Sequence, residues 1–411
     1  MINDNDNHIA LSGAEEWTPP DRAVMLDENN GWHRSGTLLD GFYSMYQPEV
    51  IYVPEREGNY PYLMWFFAWA YTQENDPCGD YCGYPGGDAI FHARAQSLDG
   101  PWEVYSVKDG AYFWDSRREP RYWYPVLVCD DKWYDSWHVG DPSIVYMDGV
   151  FYMAYSSMGC DEDGIPYHKP GDTDGNASCI MGATSRDGIH WERTEAPIIV
   201  WEHEKGFNER EKKSGYMGGH QRPSLMYEDG KWKLWYDYRE SWIGYAECEG
   251  DFRCPGDWHE LRCGNDPLLH SVDFDVIRIG DIYYAWGDPY VSWAGIKDER
   301  IPFHADDPGR WSCRQIVEYQ SRDGINWYPS GYFLPDEGYD AIQIPQAFID
   351  RKRGRICVFY ATQRGKREGE TYDWRWDSLR YRWRALEDFR RPYKDCDSKN
   401  KPIDGEVEKA I

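Results

Sequence analysis

The chain contains no run approaching the roughly 18 consecutive apolar residues that a bilayer-spanning helix needs, so no membrane span is expected anywhere in its 411 residues. The opening stretch MINDNDNHIALSGAEEW has neither a basic n-region nor an apolar h-region. No signal peptide is expected, and a cytoplasmic location follows by default. Basic residues are few: 45 Lys and Arg stand against 72 Asp and Glu, a net charge of -27. That balance repels nucleic-acid phosphates and anionic membranes and favours solubility, which leaves no nucleic-acid or membrane partner to look for. Eleven cysteines are scattered, and only Cys78 and Cys82 lie close together. A closed structural zinc site usually needs four ligands, and no second Cys or His pair sits at finger spacing.

Aromatic residues are abundant, with 22 Trp and 33 Tyr. Most are expected to build core, and the remainder to line a groove for a flat, partly apolar ligand such as a sugar ring. The chain also repeats itself. Five units share a frame: a residue before Pro, a short apolar run, a tight turn and an aromatic-rich run. They begin at Gln47 (QPEVIYV), Asp141 (DPSIVYMDG), Arg222 (RPSLMYEDG), Asp273 (DFDVIRIGD, with Phe274 in the proline's place) and Ile344 (IPQAFID). Asp148-Gly149 and Asp229-Gly230 are strong hairpin signals, and the flanking Val, Ile, Tyr, Phe and Trp suit strands. A second element recurs downstream: SRDGIHW from Ser185, SRDGINW from Ser321, and SLDGPW from Ser97. It predicts a third and a fourth strand joined by an Asp-Gly turn.

Four antiparallel strands per unit, arranged radially, make an all-β, five-bladed β-propeller. The shortest interval between units, Arg222 to Asp273, approaches the length of a compact blade, about 40–50 residues. The longer ones require inserted loops, at 72–88, 109–137, 159–178 and 202–219. Residues 1–40 are expected as a lead-in segment, 41–390 as the propeller, and 391–411 as a polar tail.

Residues i and i+2 of a strand share a face. The frame therefore predicts an axial ring of Gln47 and Glu49, Asp141 and Ser143, Arg222 and Ser224, Asp273 and Asp275, and Ile344 and Gln346. The second strands are expected to bring Ser156, Glu240, Asp288 and Arg364 to the same rim. His138, His220 and His270 stand just upstream of three first strands, as hydrogen-bonding partners of substrate or of the aspartates. His and carboxylate ligands suit several divalent ions, calcium among the alternatives, but strand-start spacing does not by itself converge ligands. No cofactor is required.

These residues resemble the five-bladed β-propeller glycosidases, glycoside hydrolase families 43 and 32 and their relatives. The resemblance spans about Tyr43 to Leu386 as architecture, and its sharpest motif is GDPSIVYMDGVFYMAYS. In family 43 the first blade offers an Asp base, the second an Asp that tunes the acid, and the third a Glu acid two residues before a proline. Asp141 matches the second. Gln47 stands at the base position and Gln221 at the acid position, and an amide cannot transfer a proton there. The resemblance thus implies cleavage of an oligo- or polysaccharide, with the roles redistributed. Glycoside hydrolysis commonly uses two carboxyl groups. Asp141 and Asp273 are the expected central pair, set for inversion, with Glu240 as substitute acid. Arg222 and Arg364 are expected to clamp a carboxylate or phosphate on the substrate. A non-catalytic carbohydrate-binding propeller and a phosphate-dependent glycoside phosphorylase are the alternatives. Oligomeric state is not legible.

Overall fold

The structure, a computed structural model, describes residues 7–11, 17–42, 45–69, 88–132, 134–136, 138–158, 178–199, 219–238, 242–263, 266–301, 314–365 and 374–394. It is all-β apart from short 3-10 turns. The strands form five sheets in a propeller arrangement. Sheet I runs from Met45–Tyr52 through Tyr62–Trp69, Asp88–Ala95 and Trp102–Lys108 to Ala111–Asp115. Sheet II comprises His138–Met147, Val150–Met158, Ser178–Ser185 and Glu192–Arg193, and sheet III comprises His220–Glu228, Lys231–Tyr238, Trp242–Cys248 and Trp258–Arg262. Sheet IV is built on Asp275–Ile279, Ile282–Gly287, Val317–Ser321 and Tyr328–Tyr332, and sheet V on Ala341–Asp350, Arg355–Gly365 and Trp374–Ala385.

Among the described residues, sheets II and III have four strands, as the repeat predicts, and sheets I, IV and V have more. The extra strands of sheets IV and V come from residues 7–40, which do more than lead in. His8–Ile9 and Val24–Met25 flank sheet IV in parallel, and Trp32–Arg34 and Leu39–Asp40 pair antiparallel with Trp374–Ala385. Hydrogen bonding between the two ends of the chain removes sheet edges that would otherwise be open. Part of the loop expected at 109–137 is strand: Ala111–Asp115 turns back on Trp102–Lys108 as the fifth strand of sheet I. The other three expected loops, with Cys78 and Cys82, fall almost wholly outside the described residues.

Each neighbouring pair of sheets encloses its own hydrophobic cluster, and the five clusters close a circuit: I with II, II with III, III with IV, IV with V, and V with I. The innermost strands touch in the same cyclic order. The Asp-Gly hairpins have the positive φ at both central residues that a type I′ turn needs, at Asp148-Gly149 and Asp229-Gly230.

The second repeat is a clasp between sheets. In sheet II, Ser185 Oγ accepts from Gly188 N at 2.9 Å, and Asp187 Oδ1 accepts from Ile189 N and His190 N at 2.9 and 2.8 Å. The Gly188 carbonyl so presented accepts the Trp65 indole of sheet I at 2.9 Å. Ser321, Asp323 and Gly324 repeat the arrangement, and Gly324 O accepts the Trp235 indole of sheet III at 2.8 Å. The motif Ser-x-Asp-Gly thus buries one tryptophan of the preceding sheet. Among the described residues no helix is long and apolar enough to cross a membrane.

Candidate active site

The frame that repeats in the sequence marks one backbone feature. Gln47, Asp141, Arg222, Asp273 and Ile344 all have left-handed φ, between 49° and 57°. For L-residues that conformation costs roughly 1–2 kcal/mol each. It is least expected at β-branched Ile344, so the scaffold imposes it whatever the side chain. In sheets I, II, III and V the residue sits where the ladder slips by one position, as between Gly140–Ser156 and Ser143–Ala154. Each is a bulge, which re-aims its side chain relative to the strand.

The bulges are held by a relay from sheet to sheet. Arg222 N donates to Ser156 Oγ of sheet II at 2.7 Å. Asp273 N donates to the Asp237 carboxylate of sheet III at 3.0 and 3.1 Å. Ile344 N donates to Asp288 Oδ2 of sheet IV at 2.9 Å. A second relay runs beside it. Ser143 Oγ accepts from Leu225 N at 2.9 Å, Ser224 Oγ from Val276 N at 2.9 Å, and Asp275 Oδ2 from Ala347 N at 2.6 Å. Strand alternation predicts that positions i and i+2 share one task. The bulge between them separates the tasks: Ser143, Ser224 and Asp275 stitch neighbouring sheets. Asp275 also accepts from Ser224 Oγ at 2.8 Å, and burial pushes its carboxyl up to about 6.

Sheets III and IV carry a buried charge network. Arg222 Nε lies 2.7 Å from Asp273 Oδ1, an ionic contact too bent to be a hydrogen bond, and Arg222 Nη1 lies 3.1 Å from Asp237 Oδ2. Arg314 Nη2 donates to Asp273 Oδ2 at 2.7 Å and also to Asp288 Oδ1, while its Nε donates to the Asp288 carbonyl at 2.8 Å. Both Asp273 oxygens therefore face guanidinium groups; Asp273, expected to act with Asp141 as the central pair, is ion-paired to Arg222 and Arg314. Three carboxyls against two arginines leave one negative charge over, and an uncompensated buried charge is costly. The shifts of the carboxyls run in the direction that relieves it. Burial and the Asp273 charge push Asp237 well above the usual carboxylate range against the pull of Arg222. Burial raises Asp288 likewise, with Arg314 opposing and Asp273 adding.

Asp141 is different. It is 2 % exposed, and its Oδ1 has no hydrogen-bond partner among the described residues. Burial alone would raise its carboxyl, but the nearby His138 ring and the Arg222 charge outweigh burial and hold it below the usual range. His138 Nε2 stands 3.9 Å from Asp141 Oδ2 and packs on Phe67. Gln47 Oε1 and Gln346 Oε1 are likewise buried without a partner among the described residues. Glu49 is buried two positions after Gln47, and Gln221 is buried beside its bulge, opposite Asp237 in register.

The other expected residues lie elsewhere. His220 Nε2 binds Glu260 Oε1 at 2.7 Å, an oxygen that also accepts from Tyr236 OH at 2.7 Å, so His220 is tied to the outer strand of its own sheet. His270 is exposed among Trp242 and Trp293 on the rim. Arg364 lines a cavity with Arg118, Asp40 and Tyr339, and Arg222 is not among its lining residues. Glu240 lies outside the described residues. Among those described, no group of three or more His, Cys, Asp or Glu side chains is set to hold a metal ion.

Asp237 and Arg314 are the residues that sequence reasoning omits. Asp237 carries a findable signal: it stands opposite the residue before the bulge, as Ser156 does in sheet II. Arg314 belongs to no repeat and enters from beside the isolated bridge Tyr290–Arg314.

No protein-family model matches the chain, and no curated protein matches it in sequence. Solved structures do share its fold. A complex of BT0996 with RGII aligns at 13% identity over 85% of this protein and 91% of that one, with a TM-score of 0.53. A structure described as "Glycoside hydrolase" aligns at 14% identity over 85% and 90%, also with a TM-score of 0.53. A thermostable family-43 glycoside hydrolase aligns at 11% identity over 83% and 90%, with a TM-score of 0.47.

Proposed function

We propose that the chain is a glycosidase, that each of its five sheets is one blade of a five-bladed propeller, and that Asp141 supplies the ionised carboxyl of the reaction. The observation that supports this best is the setting of Asp141: buried, with one oxygen unpartnered among the described residues, on a left-handed bulge of its strand, and with His138 and Arg222 lowering its carboxyl below the usual range against burial. A carboxylate in that state is suited to activate water, or to stabilise an oxocarbenium-like centre. Fold neighbours described as glycoside hydrolases support the reading at the level of architecture alone.

The proton donor must come from what the networks leave over. Asp273 is taken up by two arginines, and Asp275 and Asp288 by backbone N–H groups of the next sheet. Glu240, which follows the sheet III hairpin, is the proposed general acid. Glu49, on the sheet next to Asp141, is the residue to test against it. With a base and an acid on opposite sides of the bond, water attacks from the far face and configuration inverts. Gln47 and Gln346, with their buried oxygens, would orient sugar hydroxyls.

A second reading, carbohydrate binding without turnover, is favoured by Gln47, because the first sheet offers an amide where a base would stand. A phosphorylase draws less support, since Arg222 is held by Asp237 and Asp273. Product release from a panel of oligosaccharides, with and without phosphate, separates the three. Hydrolysis independent of phosphate supports the glycosidase. Phosphate-dependent cleavage makes it a phosphorylase, and sugar binding without any product makes it a binding module.

A further inference from the structure

Segments near the two ends of the chain meet beside sheet IV and leave a cavity that the axial ring does not include. Its volume is about 440 Å³, within the range of small-molecule sites. Residues 17–22 line one side, residues 389–393 another, and Tyr284, Gln320 and Ser330 of sheet IV a third. These walls are pinned to one another. Trp17 Nε1 donates to Gln320 Oε1 at 2.9 Å, and Tyr393 OH donates to Glu318 Oε2 at 2.7 Å. Asn30 Nδ2 donates to the carbonyls of Met25 and Lys394, at 2.9 and 3.0 Å, and so ties the two segments together.

Arg384, on the strand Trp374–Ala385 of sheet V, also lines the cavity and is 4 % exposed. A guanidinium carries five N–H groups. Here Nη2 donates to the Asp388 carbonyl at 2.8 Å, and Nε is buried without a hydrogen-bond partner among the described residues. The cation lies over the Phe389 and Tyr393 rings, 4.6 and 4.3 Å from their centroids. Ring contacts offset part of the cost of burying the charge. They do not supply the paired oxygen acceptors that a guanidinium fork matches. Glu318 feels the Arg384 charge, yet its two oxygens accept from Ser330 Oγ and Tyr393 OH, each at 2.7 Å, and burial raises its carboxyl in spite of all three. Four arginines line the cavity, Arg22, Arg384, Arg390 and Arg391, with Asp21 as the acidic residue among the lining. In a chain of net charge -27 that balance is a local exception. Trp17, Tyr284, Phe389 and Tyr393 give the rest of the lining flat aromatic surface.

We infer that this cavity binds a small organic carboxylate with a flat, partly apolar body, its oxygens on the Arg384 guanidinium and its body against Trp17 and Tyr284. The excess of arginine selects an anion, and the aromatic lining selects one with a body over a bare inorganic ion. The inference stands on the cavity alone and is independent of the glycosidase reading, since none of the axial residues lines this site.

The test is titration calorimetry on the full chain with benzoate, its neutral isostere benzamide, and inorganic phosphate, at low and moderate salt. Benzoate is expected to bind, and benzamide to bind at least tenfold more weakly. Arg384→Lys, which keeps the charge and loses the fork, should weaken benzoate about tenfold. Trp17→Leu, at a partly exposed position away from the guanidinium stack, should weaken it about threefold to tenfold. More salt should weaken binding in the wild type. Asp141→Asn should bind benzoate as the wild type does. No benzoate binding by folded wild type, or binding unchanged in both cavity variants, would overturn the site. Should Arg384→Lys fail to fold, Trp17→Leu decides alone: unchanged affinity there would overturn it. Phosphate binding as tightly as benzoate, with the same dependence on Arg384, would overturn the assignment of a flat-bodied carboxylate. Loss of binding in Asp141→Asn, with the cavity variants unaffected, would place the anion at the axis and overturn the inference.

Discussion

Between sheets III and IV, Arg222 and Arg314 are interleaved with Asp237, Asp273 and Asp288. Across sheets V, I and II the equivalent strands present Gln346, Gln47 and Asp141, each with a buried oxygen that has no partner among the described residues. The backbone is the same on both sides: a left-handed residue at the head of an inner strand. What differs is what the side chains there contact. Between sheets III and IV, Asp273 is ion-paired to Arg222 and Arg314, which locks two sheets together. At Asp141, with His138 at 3.9 Å and the Arg222 charge nearby, and at Gln47 and Gln346, an oxygen is left without a hydrogen bond among the described residues, and such a buried polar atom carries a penalty that a ligand can relieve. The abundance of carboxyls on the first side marks structure, and the sparser second side is where substrate chemistry is expected.

The comparison can be broken most directly at Asp141. Asp141→Asn should lower turnover by about 10²–10⁴-fold, the usual contribution of a positioned proton-transfer group, with a near-native urea midpoint. Its depressed carboxyl also has a signature in the wild type. The base form is lost only as pH falls through the depressed value, so the acid limb of kcat/KM should lie below the usual carboxylate range.

Arg314 tests the opposite side. Arg314→Met leaves Asp273 and Asp288 facing each other without their shared cation. Breaking a buried pair in this way costs about 3–5 kcal/mol, read as a lower urea midpoint. Residual folded enzyme should keep its KM.

The relay between sheets is weaker. Ser143→Ala strands the Leu225 N–H and should cost about 1–3 kcal/mol. A thermal scan or urea titration checks it, and no change in turnover per folded molecule is expected.

The last effect concerns pH. Asp275 is raised to about 6 in the fold, so its contribution to stability is full below its unfolded value and fades as pH rises through about 6. The difference in stability between wild type and Asp275→Asn should therefore shift in favour of the variant across that interval. A difference that stays flat from pH 4 to 7 would place the Asp275 titration elsewhere.

Much of this architecture can be read before any coordinates. The Asp-Gly hairpins at Asp148 and Asp229 and the Ser-x-Asp-Gly turns at Ser185 and Ser321 announce strands because only certain residues tolerate those backbones. The residue before the proline stands out, since its chemistry varies while its frame does not. The bulge at that residue is not legible, because a left-handed φ leaves no mark on Asp, Arg or Ile. Alternation alone therefore reaches one step too far and groups Asp275 with Asp273. The ion pairing of Asp273 is illegible for a related reason: a carboxylate at the head of a strand looks the same in sequence whether or not an arginine such as Arg314 reaches it from outside the repeat. Residues 7–40 show the limit in the other direction. Their short strands are too brief to carry a period, and only pairing with sheets IV and V defines them.

The measurement that tests the account most directly is product release from an oligosaccharide panel by wild type, Asp141→Asn and Arg314→Met, scored per folded molecule by circular dichroism of the same samples. The account predicts cleavage by wild type, near-complete loss in Asp141→Asn, and near-native cleavage by whatever fraction of Arg314→Met remains folded. Undiminished cleavage by Asp141→Asn, together with loss of cleavage in folded Arg314→Met, would put the chemistry in the charge network and contradict it.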